Sequence, residues 1–310
     1  MLITVFTPTY NRADKIHRVM NSLMTQTYKD FEWIIVDDGS TDNTKEVVDS
    51  FIQQNPFFQI RYFYQENKGK HNATNFAVKK AEGEFFVTVD SDDGCKPEAL
   101  EVLVKCWNTI PEGEQKNYKS VTCRSCPLDR PDEIIGTNPT NCQEEWIDCS
   151  SHDLFFKYNV TGDLWGMERT AILKEIPFPA IDGLHYFPEG VYYGTIGFKY
   201  KLRFFNIPLL YLYPGGNDHI SGTINYKEGI YSRIHAMNEL LPRGYFKYKP
   251  VYFFKEAVGL IRDGLLNEKK LSEILKIPNN FSAGLLAVVS IPLGFYLYKK
   301  EKKRLSDRKA

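Results

Sequence analysis

Three carboxylates crowd into the four residues Asp90-Ser91-Asp92-Asp93, directly after an apolar run at residues 85–89. Carboxylates this close repel one another unless a cation sits between them. Hard oxygen donors of this kind suit Mg²⁺ or Mn²⁺, ions that bridge protein carboxylates to phosphate oxygens. Such an ion acts as a Lewis acid on a departing nucleoside diphosphate. Taken alone, an Asp-x-Asp is as readily a solvated acidic turn, so its weight comes from its surroundings. Two other apolar runs end in the same manner. Residues 2–7 lead into Pro8-Thr9-Tyr10-Asn11-Arg12, and residues 33–36 lead into Asp37-Asp38-Gly39-Ser40-Thr41-Asp42. An Asp after a strand is often a turn residue or helix N-cap, and Asp42 and Asn43 fit that role. Farther on, Asn217-Asp218-His219 follows Gly215 and Gly216, the makings of a mobile loop over a diphosphate. His219 there is a candidate to complete a metal shell or to touch phosphate, beside the alternative of a structural or exposed histidine.

The elements that must position these groups alternate. Between the apolar runs lie amphipathic stretches, with Ile16, Val19, Met20 and Leu23 at helical spacing, and Ala73, Phe76, Ala77 and Ala81 on a second face that ends at Gly83. Short, nearly continuous apolar strands alternating with helices predict an α/β fold around a mostly parallel central sheet flanked by helices. In such sheets ligands bind beyond the carboxyl ends of the strands, where the acidic residues fall. Residues 111–150 read as loops or an insertion, residues 201–205 and 209–213 as further strands, and the pattern from about Tyr226 as helical. The expected division is a catalytic domain over residues 1–225 and a C-terminal helical extension over residues 226–310. There is no G-x-x-x-x-G-K-S/T loop and no G-x-G-x-x-G after the first strand, which argues against a P-loop nucleotidase and an ordinary dinucleotide dehydrogenase. A net formal charge of zero argues against nucleic acid as a partner. The six cysteines include a lone Cys123-x-x-Cys126; the next two, Cys142 and Cys149, are too far apart for the usual second zinc pair. With no secretory signal pattern at the N-terminus, reduced thiols in the cytosol are the expectation.

The ordered series TPTYNR, VDDGSTDNT and ENKGKHNATNFAVKKAEGEFFVTVDSDD resembles the N-terminal half of a family-2 glycosyltransferase with the GT-A fold. The resemblance covers about residues 2–103. It continues more weakly through GDLWGMERTAILKEIPFP, HYFPEG and YKLRFFNIPLLYLYPGGNDHISG, similar to the acceptor half of bacterial polysaccharide-assembly members. The resemblance implies a nucleotide-sugar donor, with Pro8, Thr9 and Tyr10 lining the nucleobase pocket. It implies that Asp38 accepts a hydrogen bond from the base, most often uracil, and that Asp92 touches the ribose or sugar. Asp93 is the implied metal ligand, with Asp90 beside it, and Lys70 lies in the loop that often contacts the donor. NKGKHN stands where many relatives carry N-x-G-x-x-x-A-R-N.

Transfer to a hydroxyl needs a base, on the face opposite the leaving group if configuration inverts. The family's acid lies well after the Asp-x-Asp, and Phe187-Pro188-Glu189-Gly190 best matches that place, which makes Glu189 the candidate base. Gly190 stands where a second acid is frequent, so Asp182 and Asp163 remain alternatives. The expected reaction moves a sugar from a UDP-sugar or related donor to a saccharide or lipid-linked saccharide. A metal-dependent nucleotidyltransferase and a silent sugar-nucleotide binding module are the competing readings. Finally, residues 281–298 form an apolar stretch broken by Pro292 and two glycines, followed by Lys299, Lys300, Lys302, Lys303 and Arg304. A single span would put this basic tail and the catalytic half on opposite sides of a bilayer. The expectation is therefore peripheral attachment at the cytoplasmic face of the membrane, with a buried core helix as the alternative.

Overall fold

The apolar runs of the first ninety residues become parallel strands because both of their faces are covered. A computed structural model describes residues 2–54, 57–140, 144–181, 183–184, 186–213 and 226–307. Strands β1 (Ile3–Thr9), β2 (Phe31–Asp37), β3 (Gln59–Tyr64) and β4 (Phe85–Thr88) lie parallel in the order β3-β2-β1-β4. Helices α1 (His17–Met24), α2 (Thr44–Gln54) and α3 (Lys70–Lys80) connect them. Val19, Met20 and Leu23 of α1, Val48 of α2, and Ala73 and Ala77 of α3 are among the buried positions, as the helical spacing requires. The register sets Thr9 beside Asp37, and Asp37 beside Tyr64. The carboxyl ends of β1 and β2 thus finish level, and β1 and β4 flank the point where the winding reverses. That is where an open α/β sheet holds ligands.

The sheet then turns mixed. β5 (Gly94–Cys95) and α4 (Ala99–Asn108) precede a short 3₁₀ turn, then β6 (Tyr118–Pro127), β7 (Trp146–Cys149), α5 (Ser151–Phe156), β8 (Leu164–Arg169) and α6 (Thr170–Glu175). Next come α7 (Glu189–Gly197) and β9 (Lys201–Leu212). β8 joins β4 and β6 antiparallel, and β6 runs parallel to β9. The other edge of β9 is shared: β7 pairs with Leu202–Phe205, and β5 with Leu210 and Tyr211.

Two expectations need correction. The stretch 111–150 is no mere loop, since β6 within it is a central, almost wholly buried strand. Its sequence conceals this because Lys119, Ser120, Thr122, Arg124 and Ser125 are polar yet buried. Each polar group that goes inside needs a partner. Lys119 Nζ donates to Glu168 Oε1 at 3.4 Å, and Arg124 donates to the Thr161 and Thr137 carbonyl oxygens at 2.8 and 2.5 Å. Likewise, the two runs at 201–205 and 209–213 are one strand, β9. It carries Pro208 through a register shift against β6, so the proline interrupts the ladder without ending the strand. The Cys-x-x-Cys sulfurs of β6 serve separate partners, on α4 and β9. Cys123 shares a thiol hydrogen bond with Cys106, and Cys126 donates to the Leu210 carbonyl oxygen. The described cysteines Cys95, Cys106, Cys123, Cys126 and Cys149 are buried and free of disulfides, while Cys142 lies outside the described residues.

The chain divides into two compact units, one of Met1–His185 with Tyr193–Gly216, the other of Tyr186–Tyr192 with Asn217–Ala310. The second unit is helical: α8 (Tyr226–His235), α9 (Pro250–Leu266), α10 (Leu271–Ile274) and α11 (Phe281–Asp307). Arg233 of α8 bridges Glu256 at 2.5 Å and Asp263 at 3.3 Å, so the buried charges of α9 are paired.

The Lys119–Glu168 pair yields a stability prediction. Both side chains are largely buried, at 3% and 17% exposure, so Lys119→Met leaves an uncompensated acid in the sheet. Chemical denaturation should show a loss of about 3 kcal/mol, and adding Glu168→Leu should restore most of it. A double variant no more stable than the single one would show that the pair does not bear on folding.

Candidate active site

The site is built from loops that leave the carboxyl ends of β1, β2 and β4. After β1, Asn11 takes a left-handed conformation at φ 51°. Its side-chain oxygen accepts from Thr41 N at 2.8 Å, and its own N–H donates to Ser40 Oγ at 2.8 Å. The Arg12 N–H donates to Thr44 Oγ1 at 3.1 Å, and the Ala13 N–H to Asp42 Oδ2 at 3.2 Å. The first two strand ends are therefore laced into one platform. Asp42 also accepts from Thr44 N at 3.0 Å, which makes it a cap for α2. Burial alone would raise its carboxyl, but the bonds from Thr44 and Ala13 outweigh that and hold it below the usual range.

Asp37 and Asp38, adjacent in sequence, organise different neighbours. Asp37 accepts from Ser40 N and from the Tyr62 hydroxyl, both at 2.7 Å. Asp38 is buried, and its carboxylate accepts from Gln65 Nε2 at 2.7 Å, Lys68 N at 2.9 Å and Gly69 N at 2.8 Å. It is the anion at the positive N-terminal end of α3, where backbone N–H groups lack helical partners. Gly69 stands at φ 87°, a conformation that side-chain-bearing residues rarely adopt. Asp38 thus shapes the loop that delivers Lys70. Three of its acceptor positions are used inside the protein, so little of its capacity is left for a base.

Lys70 opens α3, and its Nζ lies 2.8 Å from both carboxylate oxygens of Asp90. The turn after β4 is closed by Asp93 N donating to the Asp90 carbonyl oxygen at 3.0 Å. Arg18, from α1, donates to the Asp92 carbonyl oxygen at 3.0 Å and lies 4.4 Å from the centre of the Tyr213 ring. Asp93 is the strongly perturbed group. Burial first, then the charges of Asp90, Asp92 and Asp163, push its carboxyl up to about 9, and Lys70 offsets only part of this. Asp163 arrives at the start of β8, with Ser125 of β6 donating its hydroxyl to Asp163 Oδ2. Its place beside Asp93 depends on the pairing of β8 with β4 and β6, so spacing along the chain could not reveal it. Arg18, Gln65 and Ser125 carried no motif either, and only their contacts mark them.

Of the nucleobase candidates, Pro8 is half-buried and Tyr10 is 46% exposed. Thr9 Oγ1 is buried without a hydrogen-bond partner among the described residues, a polar atom a ligand could satisfy. Glu189 is the first residue of α7 and belongs to the second unit, whereas the acidic cluster belongs to the first. Phe187, two residues before it, packs on Tyr231 at 5.5 Å between ring centres. Asp182 and the Asn217-Asp218-His219 loop lie outside the described residues.

Among the described residues, no three acidic, His or Cys side chains are grouped to hold a metal by themselves. The chemistry nonetheless fits a hard cation: the donors are carboxylates, and burial together with neighbouring negative charge raises the Asp93 carboxyl. Mg²⁺ commonly keeps few protein ligands and takes the rest from phosphate and water. Asp92 and Asp93 are the residues that would hold it, with Asp90 already shared with Lys70.

A parallel β3-β2-β1-β4 order, an acidic turn at the switch point and an antiparallel continuation define a GT-A fold. Residues 4–113 match the model of Glycosyl transferase family 2, and this segment is homologous to bacterial glycosyltransferases. Glycosyltransferase GlyG of Streptococcus pneumoniae is 41% identical over 103 residues, 33% of this chain and 34% of GlyG. Chondroitin synthase of Pasteurella multocida is 39% identical over 104 residues, 34% of this chain and 11% of the synthase. The matched segment thus spans about a third or less of these relatives. Among solved structures, S. aureus TarS 1-349 in complex with UDP-GlcNAc superposes with a TM-score of 0.59 at 19% identity, covering 98% of this chain and 92% of that one. Mannosyltransferase PcManGT from Pyrobaculum calidifontis, in complex with GDP-Man and Mn²⁺, superposes at 0.52 and 19% identity, covering 97% and 83%.

The Asp93 environment predicts a pH dependence. In metal-free protein the folded state holds this proton up to about pH 9, whereas the unfolded chain loses it near 3.8. The folded state binds the extra proton between those values, so stability falls as pH rises through that window. Melting temperatures in chelator should decline across it, and Asp93→Asn should flatten the slope. An unchanged slope in the variant would mean that Asp93 is not crowded by its neighbours.

Proposed function

We propose that this chain is a metal-dependent glycosyltransferase that takes a sugar from a nucleoside-diphosphate donor, with UDP-sugars the first class to test. The acceptor is a hydroxyl of a saccharide or lipid-linked saccharide, the transfer inverts configuration, and the setting is cell-surface polysaccharide synthesis. The observation that carries the reading is the acidic turn Asp90–Asp93 after β4, at the switch point of a GT-A sheet, with Lys70 of α3 brought to Asp90. The nucleotide-sugar complexes of TarS and PcManGT support the donor class, and the Mn²⁺ of PcManGT supports the cation. A bound Mn²⁺ or Mg²⁺ supplies Lewis-acid stabilisation of the leaving diphosphate.

The chain's own residues account for the rest. The platform of Pro8, Thr9 and Tyr10 with Asp38 binds the nucleoside, chiefly through Asp38's hold on the 65–69 loop. Lys70 brings an ammonium to the acidic turn and keeps Asp90 from adding uncompensated charge. Asp92 orients the ribose or the sugar. Glu189 takes the proton from the acceptor hydroxyl, an assignment that rests on its place in Phe187-Pro188-Glu189-Gly190.

Two measurements test this. With UDP-sugars and Mn²⁺ the chain should release nucleoside diphosphate, and Asp93→Asn should remove the Mn²⁺-dependent part of nucleotide affinity in calorimetry. Release of pyrophosphate would instead identify a nucleotidyltransferase, and the absence of turnover with any donor would leave a binding module. Glu189→Gln keeps the side chain's shape and removes its basicity. It should lower kcat by roughly 10²–10⁴-fold with donor affinity near wild type, because a base acts only in the transition state. A near-normal rate in Glu189→Gln beside a dead Asp163→Asn or Asp182→Asn would assign the base elsewhere.

A further inference from the structure

Helix α11 is built inside out for a helix on a water-facing surface. It is continuous from Phe281 to Asp307, long and apolar enough by length and composition to cross a membrane, and Pro292 does not end it. Its buried positions are small: Ala283, Ala287, Ser290 and Gly294. They seat the helix on α9. A Cβ at Gly294 would come within 2.6 Å of Ile261 Cβ and 3.0 Å of the Val258 carbonyl oxygen, so glycine permits the close approach. The large side chains face outward instead, with Phe281 86%, Tyr296 62%, Val289 59% and Leu285 55% exposed. A surface helix ordinarily turns its charged face to water, yet residues 281–298 contain no charged side chain.

The charges follow at once. Residues 299–304 carry five cations against one carboxylate, in a chain whose formal charge is zero. Lys299 lies 4.9 Å from the Phe295 ring centre, so the cations begin where the apolar stripe ends. Beside them is a cleft of about 430 Å³ lined by Arg262, Lys300, Lys303 and Arg304, with Leu297, Glu301 and Asp307. Arg262 and Arg304 are held by Asp263 at 2.6 Å and Glu301 at 2.9 Å, which pre-orders their guanidinium groups. An apolar stripe ending in a basic cleft is complementary to acyl chains below anionic headgroups.

We infer that α11 docks in the plane of an anionic lipid surface, apolar face down, with a lipid phosphate in the basic cleft. A transmembrane placement conflicts with the packing. α11 is seated on α9, and α9 carries Glu256 and Asp263 paired with Arg233. Spanning the bilayer would carry that network into hydrocarbon or strip α11 from its seat. The inference stands independently of glycosyl transfer.

The test uses the full chain and sedimentation with vesicles of phosphatidylcholine alone or with about one third phosphatidylglycerol. The chain should bind the anionic vesicles, weakly or not at all the neutral ones, and detach at roughly 0.5 M salt. Lys300→Glu with Lys303→Glu should lower partitioning about 10–30-fold. Leu285→Ser with Val289→Ser should lower it about tenfold or more through lost apolar burial. These positions are on the surface, and an unchanged circular dichroism spectrum and melting temperature will show that the variants fold. Alkaline washing should release the bound protein. Equal binding to neutral vesicles, retention after the alkaline wash, or a dimer that Leu285→Ser dissociates in a chain that binds no vesicles would each overturn the proposal.

Discussion

Carboxylates gathered at one edge of a parallel sheet must each be neutralised, and the first unit is organised by how this is done. Asp37 and Asp38 are answered by backbone N–H groups and by neutral side chains of adjoining loops. Asp42 is answered by the start of α2, and Asp90 by the ammonium of Lys70. Each of these solutions fixes a loop, because a charge-assisted hydrogen bond holds its donor in place. Asp93 differs. Its neighbours Asp90, Asp92 and Asp163 add negative charge that Lys70 offsets only in part. Burial adds to this and raises its carboxyl further, which sets Asp93 apart from the structural carboxylates as the candidate binding group.

The same logic runs through the sheet beyond β4. β6 places Lys119 and Arg124 in the interior, and both are held, one by Glu168 and the other by the carbonyl oxygens of Thr137 and Thr161. The second arrangement bears on the site, since Thr161 lies two residues before Asp163 and Ser125 follows Arg124. Gly136 and Gly162 let the two crossing segments meet, as a Cβ at Gly136 would fall 1.9 Å from the Thr161 carbonyl oxygen. Asp163 is thereby presented by a braced loop rather than by a free turn.

In the second unit the constraint is apolar rather than ionic. Small residues on the inner face of α11 allow it to lie close on α9, and this turns its bulky residues outward. The buried ions of α9 and α8 satisfy one another, while the outer face of α11 exposes Phe281, Leu285, Val289 and Tyr296.

Much of this was legible in the residues alone. Alternating short apolar runs and helical spacings identify a mostly parallel α/β sheet, because the periods of burial are local. The ordered motifs through Asp93 identify the family, because each is a contiguous strand end. The charge-free run before Lys299 marks α11 as unusual for the same reason. Tertiary structure decided the rest. β6 escapes a pattern reading because its interior polar residues are paid for by partners 13 to 49 residues away. β9 reads as two strands because Pro208 marks a break that the sheet absorbs as a register shift. Asp38 looked like a group waiting for a ligand, but the fold brings the 65–69 loop to it and occupies most of its acceptors. Asp163 stood as one of several isolated acids, and its place beside Asp93 follows from strand pairing. Local sequence determines which residues can be buried or can carry charge; only long-range pairing determines which charges meet, since proximity in the fold is independent of distance along the chain.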